Sequence, residues 1–204
     1  MLFFDFTAAQ IAGVAVALVI GITFHEFSHA LIADQLGDPQ PRAMGRVSLN
    51  PGRHIDPVGA LVFLIAGFGW GRPVMVNVYA LRPGRIGMAM VAAGGPIANV
   101  LVAIVAAVSH RILETAGLSG LALEIPVWIV YYNVLLAIFN LIPIPPLDGY
   151  NALLAFLPPR SAFAVQRYAP YGIIVLLVLI VLPNSPLQVL LGLASPLTRG
   201  LIGA

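Results

Sequence analysis

Apolar runs dominate the chain, and their lengths set its architecture. The first spans residues 8–24 and continues to Ala33 through a polar cluster of His25, Glu26, Ser28 and His29. Runs 86–109 and 125–147 are uncharged. At 1.5 Å per residue, each is long enough to cross a hydrocarbon layer about 30 Å thick. Residues 57–71 are also uncharged, but they are too few for an ordinary span and predict a re-entrant or interfacial segment. Residues 72–79 alternate, with Val74, Val76 and Val78 on one side, which predicts a short strand. The uncharged stretch 168–198 is broken by Pro183 and Pro186 and predicts one span with a shorter returning arm. The pattern describes an all-α polytopic membrane protein. It has four to six transmembrane helices, a re-entrant segment and a small β element. We expect one membrane-embedded domain over 1–204, with a core at about 8–157 and a C-terminal helical hairpin at about 168–198.

Composition narrows the class. The 204 residues are 60% hydrophobic and only 9% charged, with mean hydropathy +0.97. A soluble domain carries about 25% charged residues, so a disordered chain is excluded and a soluble enzyme disfavoured. With no cysteine, a disulfide framework, a thiolate metal site and a cysteine nucleophile are all excluded. The basic residues are all arginine and lie scattered between apolar runs. They form no basic stripe, so nucleic acid is not an expected partner.

Arginine placement predicts orientation. No basic region precedes the first run, so it reads as an uncleaved span with its N-terminus outside rather than a signal peptide. Arg42, Arg46, Arg53, Arg72, Arg82, Arg85, Arg160 and Arg167 then fall inside, and Arg111 outside. Arg199 depends on the last hairpin. The positive-inside rule favours this orientation over its reverse. We therefore expect a multi-pass protein of the cytoplasmic membrane, its polar cluster toward the cytoplasmic side.

That cluster is costly where it sits. An ionisable side chain at a helix centre costs about 2.5–3.5 kcal/mol on insertion scales, and such residues face a cavity or a partner. His25, Glu26 and His29 have the spacing H-E-x-x-H. On a helix the two histidines share one face about 6 Å apart along the axis and can reach one metal ion. Glu26 lies beside that ion, placed to act as a base toward a water bound there. A tetrahedral catalytic zinc takes a third protein ligand and leaves one position open. Asp148 is the leading candidate, because it ends an uncharged span where Pro143, Pro145 and Pro146 stop a regular helix. Irregular backbone at membrane depth is tolerated where it lines a cavity or is buried in protein. The inferred topology brings both halves of the site to the inner side.

With these residues in place, the chain resembles the site-2 proteases, intramembrane zinc metalloproteases, in their compact form without a PDZ domain. The resemblance is carried by His25-Glu26-Phe27-Ser28-His29 and by Asn140, Pro143 and Leu147-Asp148-Gly149. Gly45-Arg46-Val47-Ser48-Leu49-Asn50-Pro51, His54-Ile55-Asp56-Pro57, Gly69-Trp70-Gly71-Arg72-Pro73-Val74 and Gly95-Pro96-Ile97-Ala98-Asn99 add to it. It covers roughly residues 20–155. It implies one zinc per chain held by His25, His29 and Asp148, with Glu26 as catalytic base. It also implies hydrolysis of a peptide bond within or near the transmembrane segment of a membrane-protein substrate, as in regulated intramembrane proteolysis. Asn140 is implied to hold the substrate chain or the tetrahedral intermediate. Within these 204 residues we expect neither a PDZ nor a nucleotide-sensing regulatory domain.

Other residues keep two readings. Asn99 faces substrate or makes an interhelical hydrogen bond. His54 approaches the active site or is tied to Asp56 in its loop. Val76 sits on an edge that pairs with substrate or in a structural strand. Gly94 and Gly95 are expected to serve close helix approach. The alternative function is a metal-ion transporter using the same His/Asp site, for which Glu26 has no use; a catalytically silent membrane chaperone is a third reading. Oligomeric state is left open by the sequence.

Overall fold

A computed structural model describes residues 7–60, 71–82 and 84–203. Helix α1 runs Ala8–Gln35, opened by a capping box in which Thr7 and Gln10 satisfy each other's first-turn amides. Helix α2 is the short Gln40–Ala43. Helix α3 spans Arg85–Thr115 and α4 spans Leu121–Asn140. Helices α5 (Asp148–Phe156), α6 (Pro159–Gln166), α7 (Gly172–Val181), α8 (Pro186–Gly192) and α9 (Ala194–Ile202) complete the chain.

Helices α1, α3 and α4 pack pairwise into the central bundle. They are the three described helices long and apolar enough to cross a membrane; the bent pair α6–α7, broken by 43°, makes a fourth if counted as one span. Helix α3 shows how a membrane helix divides its faces. Gly95, Asn99, Ala103 and Ala106 point inward, while Ile97, Leu101, Val105, Val108 and Ile112 are exposed. Lipid tails are as apolar as leucine, so helices associate through small residues that let backbones approach. The buried set of Ala17, Ala30, Ala33, Ala92, Ala103 and Ala137 fits that rule. At the end of the bundle away from the histidines, α9 packs through Ala194 on Ala103, Ala106, Ala107, Val130 and Val134.

Two span boundaries differ from the sequence pattern. The third apolar run is helical only to Asn140, and residues 141–147 form irregular turns before α5 starts at Asp148. The prolines therefore break the helix earlier than the end of the uncharged run. This turn packs through Ile142 and Leu147 on Leu176 and Leu187 of the C-terminal helices. Of the expected re-entrant segment, residues 57–60 are helical, capped by Asp56 through Val58 N and Gly59 N at 2.9 Å each; residues 61–70 lie outside the described residues.

The expected β element is corrected. No strand occurs among the described residues, only a single antiparallel bridge between Ile55 and Gly71. Residues 72–77 carry no turn or helix, and alternate residues are exposed as the pattern requires. They are held by side chains instead of a neighbouring strand. Buried Arg46 donates to the carbonyls of Arg72 and, at 2.8 Å, Pro73. Buried Asp38 accepts from Asn77 N at 2.7 Å. Alternation reports one-sided burial, and it does not supply a partner.

Candidate active site

The site is assembled from two helices and the start of a third. His25 and His29 lie one turn apart on α1, both buried and turned toward α3. A Cβ at Gly95 would come within 2.4 Å of His25 Cε1 and 2.5 Å of His29 Nε2. Only glycine leaves room there for both rings. One residue earlier, Ser28 Oγ donates to Gly94 O at 3.0 Å, tying the two helices together beside the site. The two glycines thus serve close approach, and the space they leave is occupied by the histidines.

Asp148 arrives at the first position of α5, where the positive end of the helix favours a carboxylate. Gly149 makes this possible. A Cβ there would fall 2.2 Å from Leu141 O, so a side chain would push α5 away from the turn that precedes it. The result is a compact triangle. The Nε2 atoms of His25 and His29 are 3.0 Å apart, and Asp148 Oδ2 stands 3.1 and 3.2 Å from them.

Hydrogen bonds outside the triangle decide what its corners are. His29 Nδ1 lies 2.7 Å from Val91 O, a carbonyl that can only accept. His25 Nδ1 lies 2.7 Å from Asn99 Oδ1. Each ring therefore donates from Nδ1, and in the neutral rings both Nε2 lone pairs face Asp148. Two lone pairs and a carboxylate oxygen around one point repel each other unless a cation lies among them. Asp148 Oδ2 is buried with no hydrogen-bond donor. Ligands about 2.0–2.1 Å from a tetrahedral zinc stand about 3.3 Å from one another, close to this triangle. The donor set and its geometry fit a metal ion.

Glu26 points elsewhere, toward residue 71, where a Cβ would stand 3.5 Å from its Oε1. The tighter neighbours of such a Cβ would be Ile22 Cγ2 at 3.0 Å and His54 O at 3.1 Å, so Gly71 serves the close approach of this segment to α1 and the His54 loop. Nearby, burial draws the Arg46 guanidinium below its usual pKa, opposed by the charge of Glu26 and reinforced by Arg72.

The remaining expected residues are distributed as follows. Asn140 ends α4 at the break, partly buried, its amide donating to Leu136 O at 3.0 Å. Asn99 is fully buried, and its Nδ2 donates to Gly21 O at 3.1 Å and to Asn133 Oδ1 at 2.8 Å. Val76 packs on Ala33, Leu81 and Val91. His54 is fully buried, and its Nε2 donates to Ser48 O at 2.6 Å rather than to Asp56. Its main-chain oxygen accepts from Arg72 N at 2.6 Å, so this loop braces the segment beside Glu26. The sequence pattern singled out neither Asp38 nor Asn133, and it gave Arg46 a part in orientation and resemblance but none beside the site. Asn133 carried a usable signal: it is a lone amide inside an apolar helix, the same feature that singles out Asn99.

Comparisons with known proteins agree with this geometry. The family model for Peptidase family M50 matches residues 117–182. The chain is 35% identical over 175 residues to "Putative zinc metalloprotease YwhC" of Bacillus subtilis, covering 82% of this chain and 80% of that one. It is 30% identical over 187 residues to "Putative zinc metalloprotease Rip2" of Mycobacterium tuberculosis, covering 85% and 70%. It is 29% identical to the protein of the same name in Mycolicibacterium smegmatis, over 84% and 69%. No solved structure matches the chain significantly. These relatives favour hydrolysis over the transporter alternative. With three membrane-length apolar helices around a triangle of metal-ligating atoms, the chain belongs to peptidase family M50, the site-2 protease family, and is a membrane zinc metalloprotease.

Proposed function

We propose that this protein hydrolyses a peptide bond within or next to the transmembrane segment of another membrane protein. The observation that carries the reading is the convergence of His25, His29 and Asp148 on one point inside an apolar helix bundle, with Glu26 next to His25 in the chain. His25, His29 and Asp148 would hold one zinc per chain. When bound there, zinc supplies Lewis-acid polarisation of the scissile carbonyl and lowers the pKa of water at its open position.

The chain's own residues do the rest. Glu26 accepts a proton from the attacking water and passes it to the leaving nitrogen as the C–N bond breaks, so that water and peptide become a carboxylic acid and an amine. Gly71 lets its segment pack close against Ile22 and the His54 loop, next to the Glu26 carboxylate. Asn140, at the break that delivers Asp148, is assigned to the substrate backbone. Asn99, Val76 and His54 are assigned supporting positions, because their side chains are committed to protein. We assign the whole chain to one membrane-embedded protease domain in the cytoplasmic membrane. Its active site lies toward the side that carries most of the arginines.

The test is mapping of the cut. The purified protein is reconstituted with a panel of single-span membrane substrates and zinc, and products are sized by mass spectrometry. Cuts within or adjacent to the apolar segment are expected. Cuts confined to extramembrane loops would overturn the intramembrane reading.

A further inference from the structure

His25 and His29 belong to one motif but are oriented by different devices. His29 donates to a main-chain carbonyl, which offers acceptor lone pairs in any state. His25 donates to a side-chain amide, and an amide has two ends. Turned over, Asn99 would present its NH₂ group to His25 Nδ1. That would favour the tautomer with its proton on Nε2, aimed at the centre of the triangle, where it would block a metal bond.

What prevents the turn is a second amide. Asn99 Nδ2 donates to Gly21 O and to Asn133 Oδ1, and Asn133 Nδ2 donates to Ile129 O at 2.8 Å. Each Nδ2 thus faces a main-chain carbonyl, so neither orientation is ambiguous. Both asparagines are fully buried, and a reversed Asn99 would set its oxygen against two other oxygens, away from bulk solvent. Gly21 makes the arrangement possible: a Cβ there would stand 3.0 Å from Asn133 Oδ1 and 2.9 Å from Leu136 Cδ1.

We propose that Asn133 is a positioning residue for the metal site: it locks the Asn99 amide, which holds His25 with its Nε2 lone pair toward the metal. The inference rests on the assignment of His25 as a ligand. Partners that orient a ligating histidine typically change metal affinity by about 10–100-fold.

The experiment measures zinc affinity of the zinc-free protein by chelator competition in six forms: unsubstituted, Asn133→Leu, Asn133→Asp, Asn99→Asp, Asn99→Asp with Asn133→Leu, and His25→Ala. Asn133→Leu should weaken zinc about tenfold. A carboxyl group at position 99 offers an oxygen to His25 from either end and needs no orienting partner. In the Asn99→Asp background, Asn133→Leu should therefore cost nothing further. Asn133→Asp keeps an oxygen toward Asn99 and should restore affinity to within about twofold of the unsubstituted protein. An equal loss in both backgrounds would mean mere helix packing and would overturn the proposal, as would an unchanged affinity in Asn133→Leu. His25→Ala separates the two claims, since undiminished zinc binding there sinks the ligand assignment itself. Should Asn133→Leu not accumulate, nitrogen NMR of ¹⁵N-histidine-labelled, zinc-free, unsubstituted protein decides. A proton on His25 Nδ1 supports the lock, and a proton on Nε2 refutes it.

Discussion

Eight acidic residues occur in the chain, and the chemistry assigned to it depends on two of them. Asp148 closes the triangle and Glu26 stands outside it, so their substitutions should separate cleanly. His25→Ala, His29→Ala and Asp148→Asn should each lower retained zinc, measured by elemental analysis after dialysis. Full occupancy in the Asp148 variant would remove that residue from the ligand set. Gly95→Ala makes the complementary prediction. Its Cβ would fall within 2.6 Å of three ring atoms of His25 and His29, so the rings must move. Zinc content should drop while the helix content seen by circular dichroism is kept. The catalytic motif was legible at this scale because its geometry is local: two histidines at i and i+4 share a helix face wherever the helix lies. Asp148 was legible for a different reason, as a rare charge held at a proline break. The amide pair behind His25 was not, because residues 99 and 133 meet only once α3 and α4 are packed.

Among the elements, the segment beside Glu26 shows where sequence patterning stops. Its alternation correctly marked Val76 as facing the core and Met75 as exposed. Periodicity contains no information about whether a second strand is present, and here Arg46 and Asp38 occupy the bonding positions. Replacing Asp38 by Ala should leave Asn77 N and Gln40 N without their acceptor. A hydrogen bond contributes about 0.5–1.5 kcal/mol net, so the unfolding transition in detergent should move down accordingly. Zinc should be retained, since neither Asp38 nor Asn77 touches the triangle. Arg46→Met should act alike, freeing the carbonyls of Arg53, Arg72 and Pro73. If this segment frames the approach to Glu26, kcat/KM should fall more than zinc affinity does. A variant that loses zinc in step with activity would place Arg46 in support of the metal instead. The C-terminal hairpin was legible only in outline. Its prolines predicted breaks, but the packing of Leu176 and Leu187 on the turn before Asp148 is a tertiary fact.

For the molecule as a whole, α3 turns an exposed apolar stripe outward and its buried face, with Gly95 and Asn99, toward the histidines, an arrangement that suits lipid outside and a polar site within. Orientation is testable because the chain has no cysteine of its own. Leu49 is 51% exposed, and a single Leu49→Cys should react only with reagent that crosses the membrane of intact cells. Labelling by an impermeant reagent applied from outside would invert the proposed topology. The central claim, a zinc protease in which Glu26 moves the proton, rests on chemistry rather than topology. Its most direct test compares the unsubstituted protein with Glu26→Gln, both reconstituted with a single-span substrate and assayed for zinc in the same preparation. The amide keeps the shape of the side chain but not its basicity, and loss of a general base typically costs about 10²–10⁴-fold. One zinc per chain is expected in both proteins, with a cleavage rate reduced by that factor in the variant. Equal cleavage by a zinc-loaded Glu26→Gln protein would contradict the central claim.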